Sequence, residues 1–205
     1  MRLMSATVIA YDGGMGRWEP DARGRLAKAA MALYAEQGFE QTTVAEIAGR
    51  AGLTERTFFR HFADKREVLF YGMERLRDLL ARAVADAPAS ATAMDAVGAA
   101  FEAAGAMFQE NPERVRLRDA IVSANAELRE RELIKLAAFA STVASALRDR
   151  GIPEPAASLA AETGVAVFKV AFARWVSDPG QPDLPGIFRE SMAELRGALA
   201  DRAPV

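Results

Sequence analysis

The sequence predicts an all-helical protein in which a small N-terminal three-helix unit is joined through a fourth helix to a larger helical body. Alanine, leucine, arginine and glutamate, which are good helix formers, dominate the composition. No stretch keeps the alternation of apolar and polar residues that is typical of a strand. Capping and helix-breaking residues divide the chain into about nine segments whose apolar residues recur at helical spacing.

The first two helices have clear boundary signals. Helix 1 should begin near Pro20, since proline is tolerated in a first turn, and should end at Gly38. Thr43 and Glu46 have the spacing of a capping box, so helix 2 should begin there and end by Gly52.

The third and fourth helices follow directly. Thr54 should cap a short helix that reaches about Phe62. Asp64, with Glu67 three residues later, should cap a continuous fourth helix that runs to about Asp86 and spans about 30 Å at 1.5 Å per residue. Helices 5, 7 and 9 should span about 92–110, 126–150 and 184–201. Helix 6 should open at Asn111-Pro112, and helix 8 should open at Pro153 and Pro155 and end before Asp178.

Composition argues against most enzyme classes. The chain has 205 residues and a 51% hydrophobic fraction, which supports a sizeable core, but it has no cysteine and one histidine. We therefore predict no catalytic residue, no metal site and no cofactor. No stretch approaches the roughly 18 uninterrupted apolar residues of a membrane span, so no membrane partner is expected. The lack of cysteine fits a cytoplasmic protein.

Residues 43–62, TVAEIAGRAGLTERTFFRHF, have the pattern of a helix-turn-helix. Gly52 can supply the positive φ of a tight turn, and the small Ala48 and Ala51 allow the two helices to cross closely. The second helix should then stand clear of the body and fit a major groove about 12 Å wide. The alternative is a helical hairpin with a solvated charged face. The residues expected to project outward are Glu55, Arg56, Thr57, Phe59, Arg60 and His61.

The segment from Pro20 to about Arg75 resembles the DNA-binding domain of the TetR family. The matching motifs are AAMALYAEQGF at 29–39, TTV at 42–44, IA at 47–48, AGLT at 51–54 and TFFRHF at 57–62 followed by Lys65. They cover about a quarter of the chain. Two positions depart from the family pattern, because many members have a tyrosine where Phe59 stands and a glycine where Arg56 stands.

The resemblance implies a homodimer that reads a near-palindromic double-stranded DNA operator and is released from it by a small, largely apolar ligand. Thr43 and Lys65 would contact phosphates, and Thr54 would cap the recognition helix near the DNA backbone. The full set of expected DNA-binding residues is Thr43, Thr54, Glu55, Arg56, Thr57, Phe59, Arg60, His61 and Lys65. The domain division expected is a flexible arm (1–19), a DNA-binding domain (20–66) and an effector-binding and dimerisation domain (67–205).

The C-terminal helices supply the other expected sites. Helix 8 is apolar nearly all round and helix 9 carries an apolar stripe, so we expect them to form the dimer contact, with intramolecular core as the alternative. The interface residues predicted are Ala161, Gly164, Val165, Trp175, Leu184, Phe188, Met192, Leu195 and Leu199. The ligand wall predicted is Met73, Leu76, Leu80, Phe101, Phe108, Leu117, Ile121, Phe139, Val143, Phe168 and Phe172, with plain core as the alternative. Candidate polar contacts are Arg116, Arg118, Asp119, Asn125 and Lys169.

The sequence therefore predicts a ligand-responsive transcriptional regulator, most simply a repressor, that is not an enzyme. The alternatives are a helical enzyme or a protein-interaction scaffold without specific DNA binding. No glycine-rich phosphate loop, nucleophile elbow or aspartate-rich metal motif favours the enzyme. If a ligand binds, helix 4 would transmit the change to the recognition helix.

Overall fold

The computed structural model describes residues 21–178, 180 and 183–200, and every regular element within them is a helix. This confirms the predicted fold class. The expected N-terminal arm, residues 1–19, lies outside the described residues. The elements are α1 (Ala22–Gln37), α2 (Val44–Arg50), α3 (Glu55–His61), a 3₁₀ turn (Glu67–Phe70), α4 (Met73–Asp86), α5 (Ala93–Gln109), α6 (Pro112–Ala124), α7 (Ala126–Asp149), α8 (Ala156–Ser177) and α9 (Leu184–Ala200).

The predicted caps of the helix-turn-helix are present. Thr43 and Glu46 form the capping box of α2, in which each side chain accepts a hydrogen bond from the other residue's backbone N–H. The Thr54 hydroxyl accepts from the backbone N–H of Thr57 at 3.2 Å and caps α3. Gly38 ends α1 with a φ of 87°. Short-range capping chemistry was thus enough to predict these boundaries.

The N-terminal unit has its own hydrophobic core. Leu26 of α1, Ile47 of α2 and Phe58 of α3 have no exposed surface. Phe70 of the 3₁₀ turn packs in the same core. Because the core extends to Phe70, the packing favours a domain division near Gly72, about five residues later than the sequence indicated.

The fourth predicted helix is not continuous. Asp64 accepts hydrogen bonds from the backbone N–H groups of Arg66 and Glu67, at 2.8 and 3.0 Å, but these residues enter only the short 3₁₀ turn. The chain is then extended at Tyr71, and Gly72 has a φ of 97°. The expectation of one rod from Asp64 is therefore wrong, since a left-handed glycine ends the turn. With 14 residues, α4 spans only about 21 Å.

Replacing Gly72 by alanine should therefore lower the free energy of unfolding by about 1 kcal/mol, because a left-handed backbone costs a residue with a Cβ about 1–2 kcal/mol. No atom lies within 4 Å of the Cβ that would be added, so the effect comes from the backbone alone. Urea unfolding measures it. Gly49 of α2 is the matched control: it has the same open surroundings and no positive φ, so alanine should stabilise there. Equal changes in the free energy of unfolding at both sites would contradict the requirement for a left-handed backbone at Gly72.

The C-terminal body is a second core in which α8 is the central helix. Its Trp175 is fully buried, as is Phe188 of α9. At Gly164, α8 approaches α5 so closely that an added Cβ would lie 2.3 Å from a Val97 methyl and 2.7 Å from the Phe101 ring. One helix of the described chain, α8, is long and apolar enough to cross a membrane by length and composition alone, and here it forms the centre of this bundle.

The two cores meet at the corner between α6 and α7. Val122 and Leu128 from this corner are fully buried in the N-terminal core rather than in the bundle. Beside them, Arg131 of α7 forms ion pairs with Asp64 at 3.3 Å and with Glu67 at 3.0 Å. The N-terminal unit is therefore attached to the body through α6 and α7 as well as through the chain at Gly72.

Candidate nucleic-acid interface and ligand cavity

The third helix presents one face to the N-terminal core and the opposite face to solvent. Phe58 is fully buried and Phe62 is 4% exposed, whereas the neighbouring Phe59 is 56% exposed. Glu55, Arg56 and Arg60 are exposed on the same outer side. The expected outward face is therefore observed, while its contact with DNA remains a prediction.

The two arginines of this outer face differ from the arginines around them. Arg50 forms a bidentate pair with Glu36, with N–O distances of 2.9 and 2.5 Å. Arg23 pairs with Glu74 at 2.9 Å. No ion pair between described residues involves Arg56 or Arg60. Their guanidinium groups are thus free to fork onto a guanine edge or a phosphate.

The threonine side chains expected at the DNA form hydrogen bonds within the protein, and the histidine is partly buried. The Thr43 hydroxyl is 2.8 Å from the Glu46 carboxylate, to which it donates. The Thr54 and Thr57 hydroxyls share a hydrogen bond of 3.1 Å. Thr57 and His61 are half-buried. Thr43 caps α2 and Thr54 caps α3, and both stay exposed, whereas only part of Thr57 and His61 faces outward.

Lys65 has a structural position that the sequence did not indicate. Its ammonium donates to the backbone carbonyls of Phe39, Glu40 and Thr42 at 2.9, 3.0 and 3.0 Å, and lies 4.6 Å from the centre of the Phe39 ring. An ammonium has three donors, and all three are used. Lys65 therefore holds the turn between α1 and α2, and its contact with a phosphate stays a prediction.

A cavity of about 950 Å³ lies between α4, α5, α6, α7 and α8. Eight residues of the predicted ligand wall line it: Met73, Leu76, Leu80, Phe101, Phe108, Phe139, Phe168 and Phe172. The other three do not line it. Leu117 and Ile121 pack against the N-terminal core, and Val143 is fully buried in the bundle core away from the lining. Helical periodicity identifies the apolar face of a helix but not which neighbour covers it.

The polar lining of the cavity is concentrated on α6. Arg116, Arg118 and Asp119 line the cavity, as does Lys169 of α8, whereas Asn125 instead donates to Glu40 at 3.3 Å. Burial raises the pKa of the Asp119 carboxyl, and the nearby Glu132 charge raises it further. Residues missed from the sequence include Arg23, Tyr71, Arg114 and Glu132. The alternating arginines at 114, 116 and 118 were the signal that could have identified α6.

The predicted dimer residues are mostly core residues of a single protomer. Leu195 is partly buried against the bundle, and Leu199 is 79% exposed. The other seven are buried within their own chain and offer a partner little surface: Ala161, Gly164, Val165, Trp175, Leu184, Phe188 and Met192. The apolar residues that α8 does present to solvent are Leu159 and Val170, 65% and 56% exposed. An all-round apolar helix could not be divided into inner and outer faces from sequence alone.

A three-helix unit whose third helix is exposed, joined to a helical body that contains a cavity, defines a two-domain helix-turn-helix protein. Residues 26–71 match the family described as "Bacterial regulatory proteins, tetR family". The N-terminal unit of this chain is therefore a TetR-family domain.

Relatives and solved structures agree with this assignment. The "HTH-type transcriptional regulator TcmR" of Streptomyces glaucescens is 37% identical over 81 residues, which are 40% of this chain and 36% of that protein. The chain thus matches about a third of the length of this curated relative. The FadR repressor of Thermus thermophilus, solved in complex with lauroyl-CoA, has a TM-score of 0.58 at 23% identity over 89% of this chain and 98% of its own.

A third similar protein is SmeT, a repressor of a Stenotrophomonas maltophilia multidrug efflux pump. Its complex with triclosan has a TM-score of 0.62 at 22% identity and covers 89% of this chain and 99% of its own. At this identity the two structures show a shared fold over nearly the whole described chain. They do not transfer a ligand.

Proposed function

We propose that this protein is a sequence-specific DNA-binding transcriptional regulator of the repressor type, acting as a homodimer in the cytoplasm. The observation that carries the proposal is the outer face of α3, where Arg56 and Arg60 are exposed and where no described residue neutralises them. A free arginine on an exposed short helix matches the way in which helix-turn-helix proteins read base edges in a major groove.

The body supports ligand control and pairing of two copies. The 950 Å³ cavity is of the size that binds small molecules. FadR and SmeT, which share the fold, were each solved with a small molecule bound. The outer faces of α8 and α9 carry exposed Leu159, Val170 and Leu199. We assign these faces to the dimer contact, in place of the buried residues indicated by the sequence.

The proposal predicts that the full-length protein enriches discrete fragments from a pool of genomic DNA and that salt weakens this binding. Arg60→Ala should weaken binding to an enriched fragment by about 5- to 150-fold, because a bidentate contact to a base contributes about 1–3 kcal/mol of discrimination. Gel shift titrations on one fragment measure the loss. Sedimentation of the same variant should give an unchanged mass.

Arg82→Ala is the matched control, since Arg82 is exposed on α4 of the body and the same charge is removed. It should leave the affinity within a factor of two to three, which is ordinary scatter for a distant surface charge. The regulator proposal fails if no fragment is enriched, or if Arg60→Ala and Arg82→Ala have equal affinity.

A further inference from the structure

Arg118 connects the ligand cavity with the chain segment next to the DNA-binding unit. It lies on α6, and its side chain is 15% exposed. Its Nε donates to the backbone carbonyl of Leu69 at 3.2 Å, and its Nη1 pairs with the Glu132 carboxylate. Leu69 belongs to the 3₁₀ turn that precedes the hinge at Gly72. One guanidinium therefore contacts both the cavity and the inter-domain turn.

The same guanidinium retains an unused donor. Its Nη2 is buried and has no hydrogen-bond partner among the described residues. The neighbouring Arg116 also lines the cavity, with its Nε buried and unpartnered and its guanidinium carbon 4.6 Å from the centre of the Trp175 ring. A guanidinium carries its charge at all relevant pH values and offers no acceptor. A carboxylate or a water that reaches these guanidinium groups from the cavity would supply the acceptor that their free donors lack.

The charges around the cavity favour an anionic acceptor. The basic side chains in the lining are Arg23, Arg75, Arg114, Arg116, Arg118 and Lys169, and the acidic ones are Glu74, Glu110, Asp119 and Glu132. Two of the acidic groups are already paired, Glu74 with Arg23 and Glu132 with Arg118. The lining is therefore positive overall, with buried guanidinium donors at its polar part.

Another part of the cavity lining is apolar. Phe108, Phe168 and Phe172 form a cluster with ring centroids 5.8 to 6.2 Å apart, and Phe101 lies 5.2 Å from Phe168. These rings offer no hydrogen bond, so they favour a hydrocarbon or aromatic body over a polar one. A ligand that satisfies both parts carries its charge at one end only.

We propose that the cavity binds a carboxylate with an extended apolar body, that the carboxylate binds Arg118, and that this contact is the regulatory signal. The carboxylate competes with the Leu69 carbonyl and with Glu132 for one guanidinium. Losing the bond to Leu69 releases the 3₁₀ turn that holds the DNA-binding unit against α6. The binding half of this proposal stands on the cavity alone, and the signalling half rests on the proposed function.

Comparing laurate with dodecanol separates the contribution of the charge to binding from that of the apolar body, since both have a twelve-carbon chain and only laurate is anionic. We expect calorimetric titration of the full-length protein to give laurate an affinity at least tenfold higher than that of dodecanol. Arg118→Gln should reduce the laurate affinity by about 10- to 100-fold, as charge-assisted hydrogen bonds are roughly twice as strong as neutral ones. The same change should leave dodecanol binding within about threefold. Arg82→Gln, on α4 and outside the cavity lining, is the matched control and should bind laurate like the original protein.

Glu132→Gln keeps the proposal testable if Arg118→Gln does not fold. It removes the competitor for Arg118 and should therefore tighten laurate binding. Equal binding of laurate and dodecanol, unchanged laurate binding by Arg118→Gln, or weaker laurate binding by Glu132→Gln would each overturn the carboxylate site. Lauroyl-CoA is the third probe, and binding of this thioester without binding of laurate would also overturn it.

The signalling half has a separate readout. Laurate should lower the affinity for an enriched DNA fragment by about 5- to 150-fold, the usual range of allosteric coupling, in the original protein and not in Arg118→Gln. Equal laurate effects on both proteins would overturn the role of Arg118 in signalling. If the ligand-free protein enriches no fragment, the regulator proposal and the signalling half fail together. Laurate binding measured without DNA still decides the binding half.

Discussion

Replacing Trp175 by alanine is expected to lower the free energy of unfolding by about 3–5 kcal/mol, the usual cost of removing a large buried aromatic side chain. Trp175 has no exposed surface, and its ring contacts both Arg116, whose guanidinium carbon is 4.6 Å away, and Phe172, whose ring centroid is 6.0 Å away. The loss combines an unfilled cavity, a lost cation–π contact and a disturbed aromatic cluster. Urea unfolding monitored by circular dichroism measures it.

The same variant tests whether Trp175 belongs to the core or to the dimer contact. The core assignment predicts lost stability within each protomer, with a dimer mass that persists as long as the protein stays folded. Leu199→Ala is the comparison, because Leu199 is 79% exposed on α9 and should hardly affect protomer stability. A folded, stable monomer produced by Trp175→Ala would contradict the core assignment, and sedimentation at several concentrations would detect it.

Replacing Lys65 by methionine is expected to cost about 2–4 kcal/mol of stability and, with it, most specific DNA binding. The change leaves three backbone carbonyls without their charged donor, and hydrogen bonds to charged groups contribute about 1.5–3 kcal/mol each. These carbonyls belong to the turn between α1 and α2. The packing of α2 against α1 should therefore become less stable. Hydrogen exchange of the α2 amides should rise before that of the C-terminal bundle.

The comparison with Arg60→Ala distinguishes a structural lysine from a DNA-contacting one. Arg60→Ala should lose affinity while its unfolding curve stays unchanged, whereas Lys65→Met should lose both together. Lys65→Arg retains the charge but not the compact three-donor geometry, so an intermediate loss is expected. If Lys65→Met had normal stability and a reduced salt dependence of DNA binding, the result would favour a phosphate contact for Lys65 over the structural role.

Local features of the sequence predicted the helices and the recognition unit well. Capping boxes, such as Thr43 with Glu46, act within four residues and are readable directly from the chain. The outward face of α3 was predictable for a similar reason, because Phe58 and Phe62 lie one helical turn apart and must both face the core. The resemblance then placed Arg56 and Arg60 where a DNA groove is expected.

Sites formed by distant parts of the chain were predicted less well. The eight correctly predicted cavity residues share a large apolar side chain, which is also what core residues have, so Val143 and Leu117 could not be separated from them. The contact between Arg118 and Leu69 joins residues 49 positions apart, and no periodicity reports such a pair. The sequence around Gly72 gave no signal that the helix predicted from Asp64 is interrupted there.

The sequence by itself determined that this protein is helical, where most helices begin and end, and which short helix is exposed. These properties depend on interactions within one or two turns. Only the tertiary structure decided that Lys65 holds a turn, that Trp175 and Gly164 lie inside one protomer, and that Arg118 connects the cavity to the hinge region. Their roles depend on which surfaces pack together. An amphipathic stripe indicates that one face of a helix is buried, but it does not indicate which part of the protein covers that face.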